Sequence, residues 1–260
     1  MITTFDSYFA PNGEKYTWKQ LPYGEDPQQV LYWNTPENAR EYPVVVWFHG
    51  GGMVGDGRDV PEQFWDGNLG VVECRYRTIH EDHKTNSLDA LDDAARAVAW
   101  VFAHAREFGA SPDKLFVGGM SAGAYLSLMI GMAPQYLEKY GCSRRDIRGI
   151  LSCSGQVTTH FQLKADLGYT RLGVQPVIDE YAPLFYASAD VPPTILINGE
   201  PGLDMAARPE ENALLAATMR SLGHTCVQHC ILQGHDHCGT VQACGWLLLQ
   251  FVNRVLSAEK

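Results

Sequence analysis

Residues 119–123 read Gly-Met-Ser-Ala-Gly, a G-x-S-x-G pattern, and the residues on either side show what local structure they interrupt. Leu115, Phe116 and Val117 ahead of it read as a short buried strand, and Ala122, Ala124, Leu126, Leu128 and Met129 behind it as a helix. A turn that passes straight from strand to helix has room only for glycine two residues before and after the serine. It forces the serine backbone into strain and sets the hydroxyl at the tip. The free N–H groups and dipole of the helix N-terminus favour negative charge there, which suits the nucleophile of an acyl transfer. The same residues would also serve as a plain glycine-rich turn with a serine N-cap. The other loops of the chain must decide.

A serine nucleophile needs a base, an acid to orient the base, and donors for the developing oxyanion. In a doubly wound sheet these come from loops at the carboxyl ends of strands. His49-Gly50-Gly51-Gly52 follows the apolar run 42–48, and consecutive glycines let backbone N–H groups converge on one oxygen. The N–H groups of Gly51 and Gly52, with that of Ala122, are the expected oxyanion hole. The acid is expected after the strand 193–198, where Glu200, Asp204 and Glu210 stand; Asp204 is favoured and Glu200 is the alternative. The base is expected in the loop 233–239, which holds His235 and His237. His237, nearer the start of the last helix, is favoured, with His235 in reserve. His80, His83, His104, His160, His224 and His229 fall in no such slot.

The elements that must carry these loops alternate along the chain. Strand-like pieces at 15–23 and 28–34 flank the turn Gly24-Glu25-Asp26-Pro27 and read as an antiparallel edge hairpin. Continuous apolar runs at 42–49 and 70–76 are the mark of strands covered on both faces. Residues 86–108 form a long helix with Leu88, Leu91, Ala95 and Val98 on one stripe and Asp89, Asp92, Asp93 and Arg96 between them. Gly109 ends it and Ser111-Pro112-Asp113 makes the turn. A polar stretch (136–145), a strand at 147–153, an irregular insert at 155–190, the strand 193–198, a helix at 209–222, a strand at 224–232 and a helix at 240–257 follow. This order predicts an α/β class with a mostly parallel central sheet, an antiparallel N-terminal edge hairpin and helices on both faces.

At 260 residues and 45% hydrophobic, the chain can bury one substantial core, so a single domain over 1–260 is expected. A net charge of -10 argues against nucleic acid or an anionic membrane as partner. The first residues show no basic segment followed by an apolar core, and no window approaches a membrane span. Seven cysteines, an odd number, read as free thiols in a reducing, cytoplasmic setting. Cys226 and Cys230 with His235, His237 and Cys238 lack a paired C-x-x-C knuckle, so no metal is expected. The last strand, left at an edge, would offer a surface for pairing into a homodimer.

Taken together, these segments resemble the α/β-hydrolase superfamily, in the esterase branch that carries the H-G-G-G loop: hormone-sensitive-lipase-like carboxylesterases and their smaller feruloyl- and acetyl-esterase relatives. The likeness runs from about residue 42 to the C-terminus. It includes YPVVVWFHGGG, the Tyr76-Arg77 pair, GASPDKLFVGGMSAGA, YAPLFYASADVPPTILINGE and the GHDH loop. It implies Ser121, Asp204 and His237 as a triad, Gly51, Gly52 and Ala122 as oxyanion donors, and His49 bracing their loop, with no cofactor. The implied activity is that of a serine carboxylesterase on small acyl esters, including acetyl or aryl esters of carbohydrates. An amidase or peptidase on the same triad, or a binding protein of the same fold, is the alternative. The chain departs from the pattern in the longer Pro201-Gly202-Leu203 approach to Asp204 and in Cys238 after the histidine. With the region ahead of the first parallel strand too short for a helical cap, 155–190 is left as a lid-like insert, its Phe161, Tyr169, Tyr181, Phe185 and Tyr186 facing either the core or a sugar or aryl group. Residues 53–65, with Asp56, Arg58, Asp59, Phe64 and Trp65, are expected to rim the same pocket.

Overall fold

The computed structural model of the protein describes residues 16–80, 84–170, 173 and 175–258. His83 and the first fifteen residues, including the start of the expected first strand, lie outside them. β1 (Tyr16–Pro22) and β2 (Val30–Pro36) pair antiparallel, with Pro22 opposite Val30. β3 (Tyr42–Phe48), β4 (Gly70–Cys74), α1 (Ser87–His104), β5 (Ala110–Met120), α2 (Ala122–Met132) and a short α3 (Pro134–Glu138) follow. The second half runs β6 (Gly149–Cys153), α4 (Phe161–Asp166), β7 (Thr194–Gly199), α5 (Arg208–Ser221), β8 (Val227–Leu232), α6 (Gly239–Ala243) and α7 (Gly245–Ser257).

All eight strands form one sheet in the order β1-β2-β4-β3-β5-β6-β7-β8. Pairing is antiparallel at β1/β2 and β2/β4 and parallel from β4 to β8. β3 shows why its sequence is apolar without a break. Val44, Val46 and Phe48 face a core shared with α1, α2 and α5, while Val45 and Trp47 face a second core under α7. Among the described residues no helix is long and apolar enough to cross a membrane.

Helix α1 begins at a capping box: the Asn86 side chain accepts from the N–H groups of Leu88 and Asp89, and the Asp89 carboxylate accepts from the Asn86 N–H. It ends in a 3-10 turn at Ala105–Phe108, closed by Gly109 at φ 80.

Three local expectations need correction. Ser111-Pro112-Asp113 is not a turn between elements but a bulge inside β5, where the pairing with β3 shifts between Tyr42 and Val44; proline, lacking an N–H, is tolerated there. The last helix breaks at Cys244 into α6 and α7. Phe64 and Trp65 do not rim a pocket. They sit in a 3-10 turn with Phe64 edge-on to Trp47 at 5.5 Å and Trp65 edge-on to Trp18 at 5.4 Å, in the core under α7.

The described residues of 155–190 are tied to the body of the protein and to one another at several points. Leu184 N–H donates to Val157 O, Thr159 N–H to Val177 O, and the Tyr125 hydroxyl to Tyr181 O. The buried Lys164 ammonium donates to the carbonyls of Gly173 and Gln175.

Asp93 lies among the polar positions of α1 yet is fully buried. Its carboxylate accepts the Arg77 backbone N–H at 2.9 Å, Arg77 Nε at 2.9 Å, Arg77 NH2 at 2.7 Å and Gln29 Nε2 at 2.6 Å. It therefore joins α1 to the segments entering β2 and leaving β4. Asp93→Ala strands those donors, so urea denaturation should show a loss of about 3 kcal/mol. A loss below about 1 kcal/mol, the scale of an exposed ion pair, would contradict this role.

Candidate active site

The site is built around a backbone collision that only glycine avoids. A Cβ on Gly123 would stand 1.9 Å from Phe48 O, and one on Gly119 2.5 Å from both Phe48 O and Gly123 C. The β5–α2 turn thus lies directly across the end of β3. Ser121, at its tip, adopts φ 53 and ψ -113, a region that L side chains rarely occupy. Its backbone is held at both ends, the N–H donating to Cys153 O at 2.8 Å and the carbonyl accepting from Tyr125 N–H at 3.0 Å. The Ser121 hydroxyl makes no capping bond to α2. It lies 2.9 Å from His237 Nε2 instead.

His237 Nδ1 lies 2.7 Å from Asp204 Oδ1. A carboxylate beside Nδ1 makes that nitrogen the N–H donor, which leaves Nε2 to accept from the serine hydroxyl. Asp204, 7% exposed, also accepts the N–H groups of Gly199 at 2.9 Å and Met205 at 2.7 Å. Burial alone would raise its carboxyl. The bonds from His237, Ser154, Met205 and Gly199 outweigh burial and hold it down at about 2.

Ser154 is a participant that sequence reasoning misses. It follows β6 directly, at φ 51, and its hydroxyl lies 2.7 and 2.6 Å from the two Asp204 oxygens and 3.1 Å from His237 Nδ1. The buried Arg208 guanidinium donates to the Ser154 carbonyl. The only hint in the sequence is a Ser-Gly pair at the end of a buried strand.

The other candidates occupy different posts. Glu200 accepts the Gly234 N–H at 2.6 Å, and its own N–H donates to His235 O at 2.9 Å, so it braces the histidine loop. His235 thus enters this arrangement through its backbone, while His237 presents its ring to Ser121. Glu210 lies exposed in the first turn of α5.

Gly51 and Gly52, at φ 101 and 65, form the turn after β3, and a Cβ on Gly51 would stand 2.8 Å from Gly55 O. His49 stacks on Tyr76 with ring centroids 4.3 Å apart, and its Nδ1 lies 2.7 Å from Gly50 O. Burial drives the His49 imidazole down to about 4, so it is neutral and braces the loop as an N–H donor. A pocket of about 250 Å³ is lined by Gln156, Phe161, Met205, Arg208 and Glu211, with Gly173. The Phe161 ring comes within 3.4 Å of where a Gly52 Cβ would be. Of the other aromatics in the insert, Tyr169 donates to Asp179, Tyr186 donates to Glu180 O, and Phe185 is exposed against Tyr186.

Comparison with known proteins adds a family and a fold. The BD-FAE family model matches residues 31–218. Esterase LipI of Mycobacterium tuberculosis is 34% identical over 113 residues, covering 38% of this chain and 32% of that protein. The chain spans about a quarter to a third of the length of the curated relatives it matches. Among solved structures, an esterase from Thermogutta terrifontis with propionate bound superposes with a TM-score of 0.75 at 22% identity, covering 92% of this chain and 94% of that one. A truncated carbohydrate esterase from gut microbiota superposes with a TM-score of 0.78 at 14% identity, covering 95% and 99%. These two likenesses speak to the fold, which is the α/β-hydrolase fold.

The depressed Asp204 carboxyl carries a consequence for stability. Its ordinary value is 3.8 and its folded value about 2, so its contribution is fully present above about pH 4 and is lost as the pH falls toward 2. Asp204→Asn should remove that part of the acid sensitivity, so that variant and wild-type urea midpoints converge between pH 5 and pH 3. Parallel midpoints across that interval would contradict the assignment.

Proposed function

Because this chain belongs to the BD-FAE family, we propose that it is a serine carboxylesterase, with Ser121 as nucleophile, His237 as general base and acid, and Asp204 as the orienting carboxylate. The observation that carries the reading is the unbroken relay from Ser121 Oγ through His237 to Asp204, with links of 2.9 and 2.7 Å.

In this mechanism Ser121 Oγ attacks the ester carbonyl as its proton passes to His237 Nε2. The tetrahedral oxyanion is received by the N–H groups of Gly51, Gly52 and Ala122, the last at the start of α2, where N–H groups have no partner within the helix. His237 then protonates the leaving alcohol. Water activated by the same imidazole releases the acid and restores Ser121. Asp204 holds the imidazole in the Nδ1–H tautomer and stabilises the imidazolium as it forms, and Ser154 keeps the carboxylate in place.

The substrates we infer are esters of small acyl groups, with acetyl and aryl esters of carbohydrates within the class. Phe161 supports this, since its ring lies beside Gly52 and offers an apolar face next to the expected oxyanion donors. The chain is taken as one hydrolase domain acting on small-molecule esters, with 155–190 as a packed insert over the site. β8, at the edge of the sheet, is the surface through which two copies would pair.

Purified protein should hydrolyse p-nitrophenyl acetate and butyrate, and a fluorophosphonate should label Ser121 alone. Ser121→Ala should lower kcat by at least about a thousandfold, and Ser154→Ala should lower kcat/KM by about tenfold with the fold intact. Turnover by Ser121→Ala within tenfold of the wild type would overturn the proposal.

A further inference from the structure

We propose that Asp59 is a positioning residue for the oxyanion hole, an inference that rests on reading the Gly51 and Gly52 N–H groups as its donors. Asp59 lies in the charged segment after the glycine loop, half-buried, and both of its carboxylate oxygens are engaged. Its Oδ2 accepts the Gly50 N–H at 2.7 Å and its Oδ1 accepts Trp47 Nε1–H at 2.8 Å. Trp47 is fully buried in β3, its ring packed against Phe64. One carboxylate oxygen is thus fixed to the sheet while the other holds the loop.

The planarity of the peptide group turns that tie into an aim. In a trans peptide the C=O and the following N–H point in opposite directions. The 49–50 peptide is gripped at both ends, its carbonyl accepting the Tyr76 hydroxyl at 2.9 Å and its N–H donating to Asp59. The Gly50 carbonyl is held by His49 Nδ1, which turns the Gly51 N–H the other way. The Gly51 carbonyl accepts from Val54 N–H at 3.1 Å and Gly55 N–H at 2.8 Å, which turns the Gly52 N–H away in its turn. Three consecutive glycines have almost no conformational preference of their own. The direction of the two donors is therefore set by external bonds, peptide by peptide, and Asp59 holds the N–H side of the first peptide, from which the other two continue.

Charge acts in the opposite sense. A carboxylate close to a developing oxyanion disfavours it, so a purely electrostatic role for Asp59 would make its removal accelerate the reaction. Burial raises the Asp59 carboxyl to about 6, even though Gly50 and Trp47 pull it down. Keeping an acidic group at this depth is consistent with a positional gain larger than the electrostatic penalty.

The test compares phenyl acetate with its thionoester, O-phenyl thioacetate, whose sulfur accepts hydrogen bonds weakly and so draws less on the donors. Asp59→Ala should lower kcat on the ester by about 30-fold with KM changed less than about threefold, and should lower the ester-to-thionoester ratio of kcat/KM by about tenfold. Asp59→Asn keeps one acceptor and should recover part of both losses. Ser154→Ala, acting through the base, should slow both substrates alike. Where Asp59→Ala fails to fold, Asp59→Asn decides by the same ratio, which must fall at least about threefold. Equal loss on both substrates, unchanged kcat, or variants faster than the wild type would overturn the role of Asp59. If Ser121→Ala is inactive in the same assays, the triad survives that result; if Ser121→Ala turns over like the wild type, both readings fall.

Discussion

The end of β3 and the start of α2 are pressed together until the Phe48 carbonyl occupies the space that a side chain on Gly123 would need. That contact sets the rest of the site. It fixes where β5 must stop, compels Ser121 into a conformation that costs of order 1–3 kcal/mol, and lifts its hydroxyl clear of the helix it precedes. Such strain persists only where surrounding bonds over-determine it. Here the Cys153 carbonyl holds one side of the serine and Tyr125 the other, while β5 is paired on both flanks by β3 and β6.

From that fixed point the neighbouring loops are held by backbone bonds more than by side-chain packing. Glu200 and the backbone of His235 hold the histidine loop against the end of β7. Tyr76, His49 and Asp59 hold the first peptides of the glycine loop. Both loops begin where parallel strands end, so their free ends converge on one rim without any long excursion. Phe161, from the segment after β6, reaches that rim and packs beside Gly52.

Buried charges in this protein are placed where elements must be joined. Asp93 gathers donors from two segments onto α1, and Asp204 gathers Gly199, Met205, Ser154 and His237 onto one carboxylate. Each carboxylate is filled with donors, which is what lets an acid survive at that depth. Arg208, behind Ser154, extends the same logic: its guanidinium is spent on a backbone carbonyl, and Glu211 and Asp204 offset its charge.

The sequence by itself determined what is local. Gly119 and Gly123 announce a turn too tight for a Cβ, and the apolar runs of β3 and β4 announce strands buried on both faces. The alternation of periods two and 3.6 announces a parallel sheet whose loops return to one side. These features depend on neighbours a few residues away, so they can be read without coordinates. Tertiary structure decided what depends on distance across the sheet. Asp93 reads as a polar helix position, yet it is buried because Arg77 and Gln29 arrive above it. Phe64 and Trp65 read as a pocket rim but turn into the core under α7. His237 rather than His235 faces Ser121, Asp204 rather than Glu200 meets the imidazole, and Ser154 and Asp59 join through bonds to loops far off in the chain. No periodicity or spacing records such choices, because each is made by the relative placement of strand ends that only the folded sheet brings within hydrogen-bonding range.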